Sequence, residues 1–157
     1  MKPRPVRLSL TVQYAGRSAT LPGVATLRRW ARAALERDAA VTLRFAGTRE
    51  ARALNATFRG RDYATNVLTF VYDAADALAG DIVLCAPVLR REAKEQGKAF
   101  LDHCAHLVVH GMLHLQGYDH DTPRAARAME RRETAILATL GMPDPYADPR
   151  AGGPARA

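Results

Sequence analysis

The stretch from His110 to His120, HGMLHLQGYDH, constrains the fold of this chain more than any other. Its three histidines follow the spacing H-x3-H-x5-H, with Gly117 between the second and the third. His110 and His114 would lie about 6 Å apart on one face of an α-helix, because residues four apart are neighbours there. His120 can join them only if the helix ends first. Gly117 is suited to end it, since glycine adopts the left-handed conformation of a helix C-cap without steric cost.

Three imidazoles that meet at one point are typical of a metal site. Three neutral imidazoles about 2.1 Å from a divalent ion, with a fourth position open, are the ligand set of a catalytic zinc site. The alternative is a set of unrelated surface and core histidines. The chain has only five histidines, and three of them have this spacing around a helix-ending glycine. The pattern therefore favours a site for one divalent metal ion per chain, bound by His110, His114 and His120.

The same histidine spacing occurs in the metzincin peptidases, which read H-E-x-x-H-x-x-G-x-x-H. This chain has Gly111 where those enzymes have the glutamate that acts as general base. The metal ligands match and the peptidase base is missing. The sequence thus favours a hydrolase of another kind, or a metal site without peptidase chemistry.

Length and hydrophobicity indicate one domain with a substantial core. Of the 157 residues, 48% are hydrophobic, yet no continuous apolar run is long enough to cross a membrane. The N-terminus, MKPRPVRLSL, is basic and then alternates, which is not typical of a signal peptide. Cys85 and Cys104 follow no ligand spacing, so we expect buried, reduced thiols in a cytoplasmic protein.

The charge of the chain is strongly positive, with a net value of +7. Only three of the 23 basic residues are lysines, and arginine binds phosphate oxygens in a bidentate manner. A polyanion is therefore a natural partner. Charge alone does not separate this reading from a solvated arginine-rich surface. Charge together with a hydrolytic metal site favours nucleic acid.

The apolar periodicity predicts strands and helices in the order β-α-β-α-β-β-α-α-α. The strands are predicted at 6–14, 41–45, 67–72 and 80–85, and the helices at 24–38, 48–58, 87–96, 100–116 and from 123 to just before 141. This order indicates an α+β fold, a small mixed sheet of about four strands packed by five helices, with the histidine helix central and buried. Residues 1–146 form one domain, and residues 147–157 are low in complexity and are expected to be disordered.

The sequence also predicts the position or the partner of several individual side chains. In the second helix, Ala51, Leu54 and Phe58 form one stripe. His103 is expected at the surface. Glu133 lies on the apolar stripe of the last helix, where a buried carboxylate needs a partner. We expect that partner to be an arginine, with a metal-binding histidine as the alternative.

Three segments resemble the YbeY family of bacterial endoribonucleases. HGMLHLQGYDH, preceded by HLVV and followed by a helix ending in LGMPDPY, resembles that family's histidine signature. LNATFRGRDYATNVLTF (54–70) is similar to its second signature, L-N-x-x-x-R followed by T-D-V-L-S-F. AGDIVLCAPV (79–88) is similar to its G-D-I segment. The resemblance covers most of the chain.

The resemblance implies a metal-dependent endoribonuclease, specific for single strands. It would act in ribosomal RNA maturation, chiefly at the 3′ end of 16S rRNA, and in ribosome quality control. It implies one Zn2+ bound by His110, His114 and His120, with Arg59 as the family's functional arginine. The expected catalytic residues are Arg59 and His114, and Arg59 and Arg61 are expected to bind the substrate. The expected partners are the 16S rRNA precursor and the small ribosomal subunit, with no membrane and no DNA.

Two positions depart from the family pattern. Asn66 stands where the family usually has aspartate, and Thr69 stands where it usually has serine. Thr69 keeps the hydroxyl group. Asn66 lacks the charge, which argues against a general base at this position. Asp119 and Asp121 flank the third histidine, and Asp119 is a candidate for orienting an imidazole.

A different class of function remains open, an RNA- or ribosome-binding assembly factor with a structural metal. Structural zinc sites usually have four protein ligands, whereas three ligands leave a position open for catalysis. A fourth ligand from Cys104 or His106 would favour the structural site.

Overall fold

The protein is described here by a computed structural model, which covers residues 4–72 and 77–147. Most of the predicted C-terminal tail, residues 148–157, therefore lies outside the described residues. The strands are β1 (Leu8–Tyr14), β2 (Ala39–Ala46), β3 (Val67–Tyr72) and β4 (Leu78–Cys85), and the helices are α1 (Val24–Ala33), α2 (Thr48–Arg59), α3 (Ala86–Gln96), α4 (Phe100–Leu115) and α5 (Pro123–Thr139). The predicted order of elements is confirmed.

The four strands form one mixed sheet in the order β1-β2-β4-β3. β1, β2 and β4 are parallel, while β3 is an edge strand that pairs antiparallel to β4. The main hydrophobic core lies between one face of this sheet and the helices α1, α4 and α5. α2 covers a smaller apolar cluster on the other side, formed by Leu54, Leu68, Phe70 and Val83 with Ala46. The fold is α+β, as the sequence predicts.

α1 ends earlier than its periodicity predicts, at Ala33 and not at residue 38. The residues after it bond to other elements. The backbone N–H of Glu36 donates to the Gln116 side chain at 2.7 Å. The Asp38 carboxylate accepts from the backbone N–H of Arg7 at 2.8 Å and from the Arg4 guanidinium at 2.7 Å. These partners lie far away in the sequence, so helical periodicity could not reveal them.

α4 is the central helix, as expected, and it packs closely on β4. A Cβ atom added to Gly111 would lie 3.0 Å from Ile82 Cγ2. Gly111 therefore faces the sheet at Ile82. A glutamate at this position would point into the core. The absence of a peptidase-type base is thus built into the packing of α4.

A second close contact holds the end of α4 against the sheet. A Cβ atom added to Gly80 would lie 2.7 Å from both the Leu115 side chain and the backbone carbonyl oxygen of Phe70. Gly80 thereby lets β4, β3 and the end of α4 meet at one point. Because Leu115 follows His114 directly, this contact fixes where the histidine helix ends.

Both cysteines are free and fully buried, as expected. Burial raises the pKa of the Cys104 thiol to about 12, so it stays protonated near neutral pH. Of the helices in residues 4–72 and 77–147, none combines the length and the hydrophobicity that a membrane span requires.

We expect Gly80→Ala to destabilise the fold by about 1–3 kcal/mol, because the new methyl group overlaps a backbone oxygen that cannot move independently. Gly47→Ser is the matched control. It adds a side chain in open space at the N-cap of α2, where serine is favoured. Urea unfolding measures both variants. Equal stability of Gly80→Ala and the wild type would show that α4 is not seated at this contact.

Candidate functional site

The three histidines of the sequence motif come together at the end of α4. The helix ends at Leu115, and Gly117 has a φ of +105°, which turns the chain back as predicted. The ring centroids are 6.2 Å apart for His110 and His114, 5.9 Å for His110 and His120, and 6.0 Å for His114 and His120. The rings therefore form a nearly equilateral triangle.

This triangle is slightly wider than a bound metal would make it. Imidazoles around a tetrahedral zinc ion would have centroids about 5.3 Å apart, given a Zn–N distance of about 2.1 Å. Consistently, no group of three or more His, Cys, Asp or Glu side chains within residues 4–72 and 77–147 is arranged to hold a metal ion. The centroid distances are therefore about 0.6–0.9 Å longer than those expected around a bound ion.

The hydrogen bonds of two histidines suit metal ligation. His114 donates its Nδ1–H to the backbone carbonyl of Tyr118 at 2.9 Å, since a carbonyl oxygen can only accept. His110 Nδ1 lies 2.6 Å from a carboxylate oxygen of Glu133, which accepts its proton. In both rings the Nε2 lone pair is left free. Metal-binding histidines in proteins commonly use this arrangement, in which the second nitrogen is held by an oxygen acceptor.

The charge state of His114 also suits a ligand. Burial lowers the pKa of His114, and the nearby His110, His120 and Arg59 lower it further, against the opposing effect of the Tyr118 carbonyl. His114 is thus neutral near pH 7, as a metal ligand must be. The donor set therefore fits a divalent metal in chemistry, although the rings are slightly too far apart.

Glu133 on α5 is the residue that orders this site. It is fully buried, and its carboxylate accepts hydrogen bonds from His110, from His106 Nε2 at 3.2 Å and from the hydroxyl of Tyr146. Burial raises the pKa of this carboxyl, but the three hydrogen bonds outweigh burial and lower the pKa to about 2. The expected arginine partner is wrong. α5 lies along α4, and Glu133 faces two histidines that are one turn apart.

A second network lies near the N-terminal end of α4, around Glu92 on α3. His103 Nε2 is 2.9 Å from the Glu92 carboxylate, which also accepts from the Asn66 amide at 3.2 and 3.3 Å. These bonds hold the pKa of Glu92 below its usual value, and the bond from His103 has the largest effect. The expectation that His103 lies at the surface is wrong, because it is only 4% exposed. Asn66 thus acts as a hydrogen-bond donor to a carboxylate.

A cavity of about 570 Å³ joins the two networks. Its lining includes His106 and His110 at one end and Asn66, Glu92 and His103 at the other. A cavity of about 380 Å³ lies against the other side of His110, next to His120 and Glu133. His110 therefore lines both cavities, and His120 lines the smaller one.

Arg59 lies close enough to His114 for its charge to lower the pKa of that histidine. It is the last residue of α2, which Gly60 ends in a left-handed conformation with a φ of +68°. Its side chain is exposed and forms no hydrogen bond or ion pair within the described residues. Arg61 is also exposed, and its guanidinium donates to the Tyr63 hydroxyl at 3.4 Å. The structure thus brings Arg59 to the triangle, and no contact in the described chain joins Arg61 to it.

The other candidates of the sequence lie outside the triangle. Cys104 belongs to the main core, and His106 bonds to Glu133 and Tyr146. Asp119 accepts from the backbone N–H of Asp121 at 3.2 Å, with no imidazole bonded to it in the described chain. Tyr146 is a site residue that periodicity could not find, because it follows the last helix and its role depends on the tertiary fold.

Comparisons with known proteins agree with the sequence signatures. Residues 23–141 match the family model described as Endoribonuclease YbeY. A protein named Endoribonuclease YbeY from Aromatoleum aromaticum is 60% identical over 144 residues, which cover 90% of this chain and 94% of that protein. One of the same name from Nitrosospira multiformis is 50% identical over 161 residues, covering 93% and 85%. A solution structure of a Thermotoga maritima protein is similar with a TM-score of 0.56 and 25% identity, covering 89% of this chain and 97% of that one.

The Glu133 network predicts a specific loss of stability in acid. A carboxyl whose pKa falls from 4.5 to about 2 on folding stabilises the protein fully above pH 4.5, and that stability is lost as the pH falls towards 2. Between pH 5 and pH 3 we expect the free energy of unfolding to fall by about 2 kcal/mol more in the wild type than in Glu133→Gln.

Urea unfolding at a series of pH values measures this difference. Glu130→Gln is the matched control, since it removes a carboxylate from the same helix without touching the histidines, and it should keep the acid sensitivity of the wild type. An acid profile of Glu133→Gln that is parallel to the wild-type profile would mean that the carboxylate of Glu133 is not held ionised in the fold.

Proposed function

Because this chain belongs to the Endoribonuclease YbeY family and acts on RNA phosphodiester bonds, we propose that it cleaves single-stranded RNA at a metal ion held by His110, His114 and His120. The observation that carries the proposal is the triangle of histidine rings, in which Glu133 and the Tyr118 carbonyl each hold one Nδ1–H. Two imidazoles thereby keep a free Nε2. Such an arrangement suits a ligand cluster better than a set of unrelated histidines.

Zinc is the metal that this donor set suits best. Three neutral imidazoles with one open position are the ligands of catalytic zinc, while hard cations such as Mg2+ prefer oxygen donors. When bound, such an ion acts as a Lewis acid on a phosphoryl oxygen and makes water a nucleophile near neutral pH.

The chain's own residues contribute orientation and charge. Glu133 is ionised and buried, so it keeps the proton of His110 on Nδ1 and does not contact RNA itself. The Tyr118 carbonyl does the same for His114. The free guanidinium of Arg59 is available to bind the phosphate group to be cut and to stabilise the negative charge that develops there during cleavage. Arg61, two residues further, is available for a neighbouring phosphate.

We further propose that the natural substrate is the precursor of 16S rRNA on the small ribosomal subunit. The net charge of +7 and the predominance of arginine suit an RNA partner. The family signatures in residues 54–70, 79–88 and 110–120 support this assignment to ribosomal RNA maturation. The proposal includes a role in ribosome quality control.

The competing function is an assembly factor with a structural metal, which would need a fourth protein ligand. The two candidates for that ligand have other partners. Cys104 is buried in the core with a raised pKa, and His106 is hydrogen-bonded to Glu133 and Tyr146. Because both residues already have other surroundings, the fourth position on the metal would stay open, which favours an enzyme.

We expect the purified protein to contain about one divalent metal ion per chain, and His114→Ala to lose most of it, because a ligand is removed. His103→Gln is the control, since it removes a histidine from the same helix outside the triangle. Elemental analysis gives the metal content. In the wild type the ion should be released as the pH falls through the histidine range, because protonated imidazoles cannot bind metal. Full metal content in His114→Ala would show that the ligands are different ones.

We expect Arg59→Glu to reduce the rate of RNA cleavage at least a hundredfold, because a repelling charge replaces the group that stabilises the transition state. Metal content and melting temperature should stay near those of the wild type, since the side chain is exposed. Arg49→Glu, at the other end of α2, has the same charge change and should cleave normally. A large loss of stability in Arg59→Glu would make this a structural residue, and unchanged cleavage would exclude it from the site.

A further inference from the structure

Phe58 is a large aromatic residue that lies exposed at the surface of α2. It shares a stripe of α2 with Ala51 and Leu54, which are buried and half-buried, yet Phe58 is 63% exposed. The last residues of β3, Val71 and Tyr72, are exposed as well. A large aromatic ring is therefore held at the surface, where its exposure costs free energy unless something covers it.

The ring of Phe58 is not free to swing away. It packs in a T-shaped arrangement on Phe70 of β3, with the centroids 5.2 Å apart and the planes at 72°. Phe70 is itself half-buried against Leu68 and Val83. Phe58 is thus a rigid ring with a large accessible surface. Rigidity lowers the entropic cost of binding a flat partner.

This aromatic pair lies at the same end of the molecule as the histidine triangle. Phe58 directly precedes Arg59, whose charge acts on His114. The carbonyl of Phe70 and the side chain of Leu115, the neighbour of His114, meet at Gly80. The pair therefore lies on the face of the edge strand β3 that is opposite α4, and Arg59, next to Phe58, connects that face with His114.

The charges around the ring are positive. Arg59 and Arg61 are exposed and form no ion pair with any carboxylate of the described chain. The nearby Asp62 is already bonded to Arg52 at 2.7 Å. Tyr63, which accepts from Arg61, adds a second exposed aromatic side chain. An apolar protein partner would have to bury unpaired guanidinium groups here, whereas a polyanion with flat rings would pair them.

We propose that Phe58, supported by Phe70, is a stacking platform for one unpaired nucleobase of the RNA, next to the phosphodiester group that is cut, with Arg59 and Arg61 on the flanking phosphates. The proposal rests on the proposed function in that it takes RNA to be the substrate. Bases stack on aromatic side chains irrespective of sequence, because every base has a π-face. The platform therefore accepts many sequences.

The platform gives a physical reason for preferring single strands. In an RNA duplex each base is already stacked and paired, so no free face is available for Phe58. An unpaired nucleotide can turn its base onto the ring while its phosphate lies at the arginines. Selection for single strands then comes from the protein surface near the site, in addition to any effect of the metal.

The first test measures RNA binding to the metal-loaded protein by stopped-flow fluorescence anisotropy, read before cleavage. Phe58→Leu keeps an apolar contact with Phe70 and removes the π-face, whereas Phe58→Tyr keeps it. We expect Phe58→Leu to weaken binding of a single-stranded oligoribonucleotide about tenfold or more, and Phe58→Tyr to bind like the wild type. Leu101→Ala is the control, since it truncates another exposed apolar side chain, at the opposite end of α4.

The second test combines the variant with a change in the RNA. An abasic site is moved one nucleotide at a time along the oligoribonucleotide. We expect one position at which the abasic RNA binds the wild type about tenfold more weakly and binds Phe58→Leu no more weakly than intact RNA does. Equal losses in both proteins at every position would overturn the proposal. So would unchanged binding in Phe58→Leu, which would leave this surface to a protein partner.

These tests can distinguish a failure of the stacking platform from a failure of the proposed nuclease function. Coupling between Phe58 and one base, in a protein that binds RNA and does not cut it, would support the platform and refute the nuclease. Normal cleavage without such coupling would refute the platform and leave the nuclease intact.

Discussion

The site depends on one buried carboxylate. Glu133 accepts hydrogen bonds from His106 and His110 on α4 and from Tyr146 beyond α5, so a single side chain fixes three segments relative to one another. An ionised carboxylate in the core is costly unless each oxygen is satisfied, and here the three donors satisfy both. The orientation of the His110 ring is a consequence of that requirement. A buried residue thus determines where the ring of a proposed metal ligand points.

Most of the fold follows from the sequence, because periodicity and helix-ending residues are local. The nine elements in the described chain appear in the predicted order, and the glycine turn after α4 has the positive φ that the motif requires. The exceptions are tertiary. α1 ends early because residues 36 and 38 bond to α4 and to the start of the chain. Phe58 shares a stripe of α2 with Ala51 and Leu54 and is nevertheless exposed, because burial depends on which part of the fold packs over each residue, which no local pattern records.

The histidine triangle was likewise predictable, since it needs only the repeat of a helix and one glycine. The residues that surround the triangle were not predictable. His103 was expected at the surface and Glu133 was expected to bind an arginine, whereas each is buried against a partner on another helix. Sequence spacing shows which residues share a face of one helix, and it does not show which two faces meet. Gly111 illustrates the gain from the structure, since its contact with Ile82 explains why this motif carries no peptidase base.

The central claim is that three histidines, and no other side chain, hold a metal with an open position. X-ray absorption spectroscopy at the zinc edge tests it most directly, on protein purified with its metal. The account predicts three imidazole nitrogens at about 2.0–2.1 Å, with the remaining position filled by a light oxygen atom. A sulfur neighbour at about 2.3 Å, or a fourth imidazole, would contradict it, because Cys104 or another histidine would then close the site.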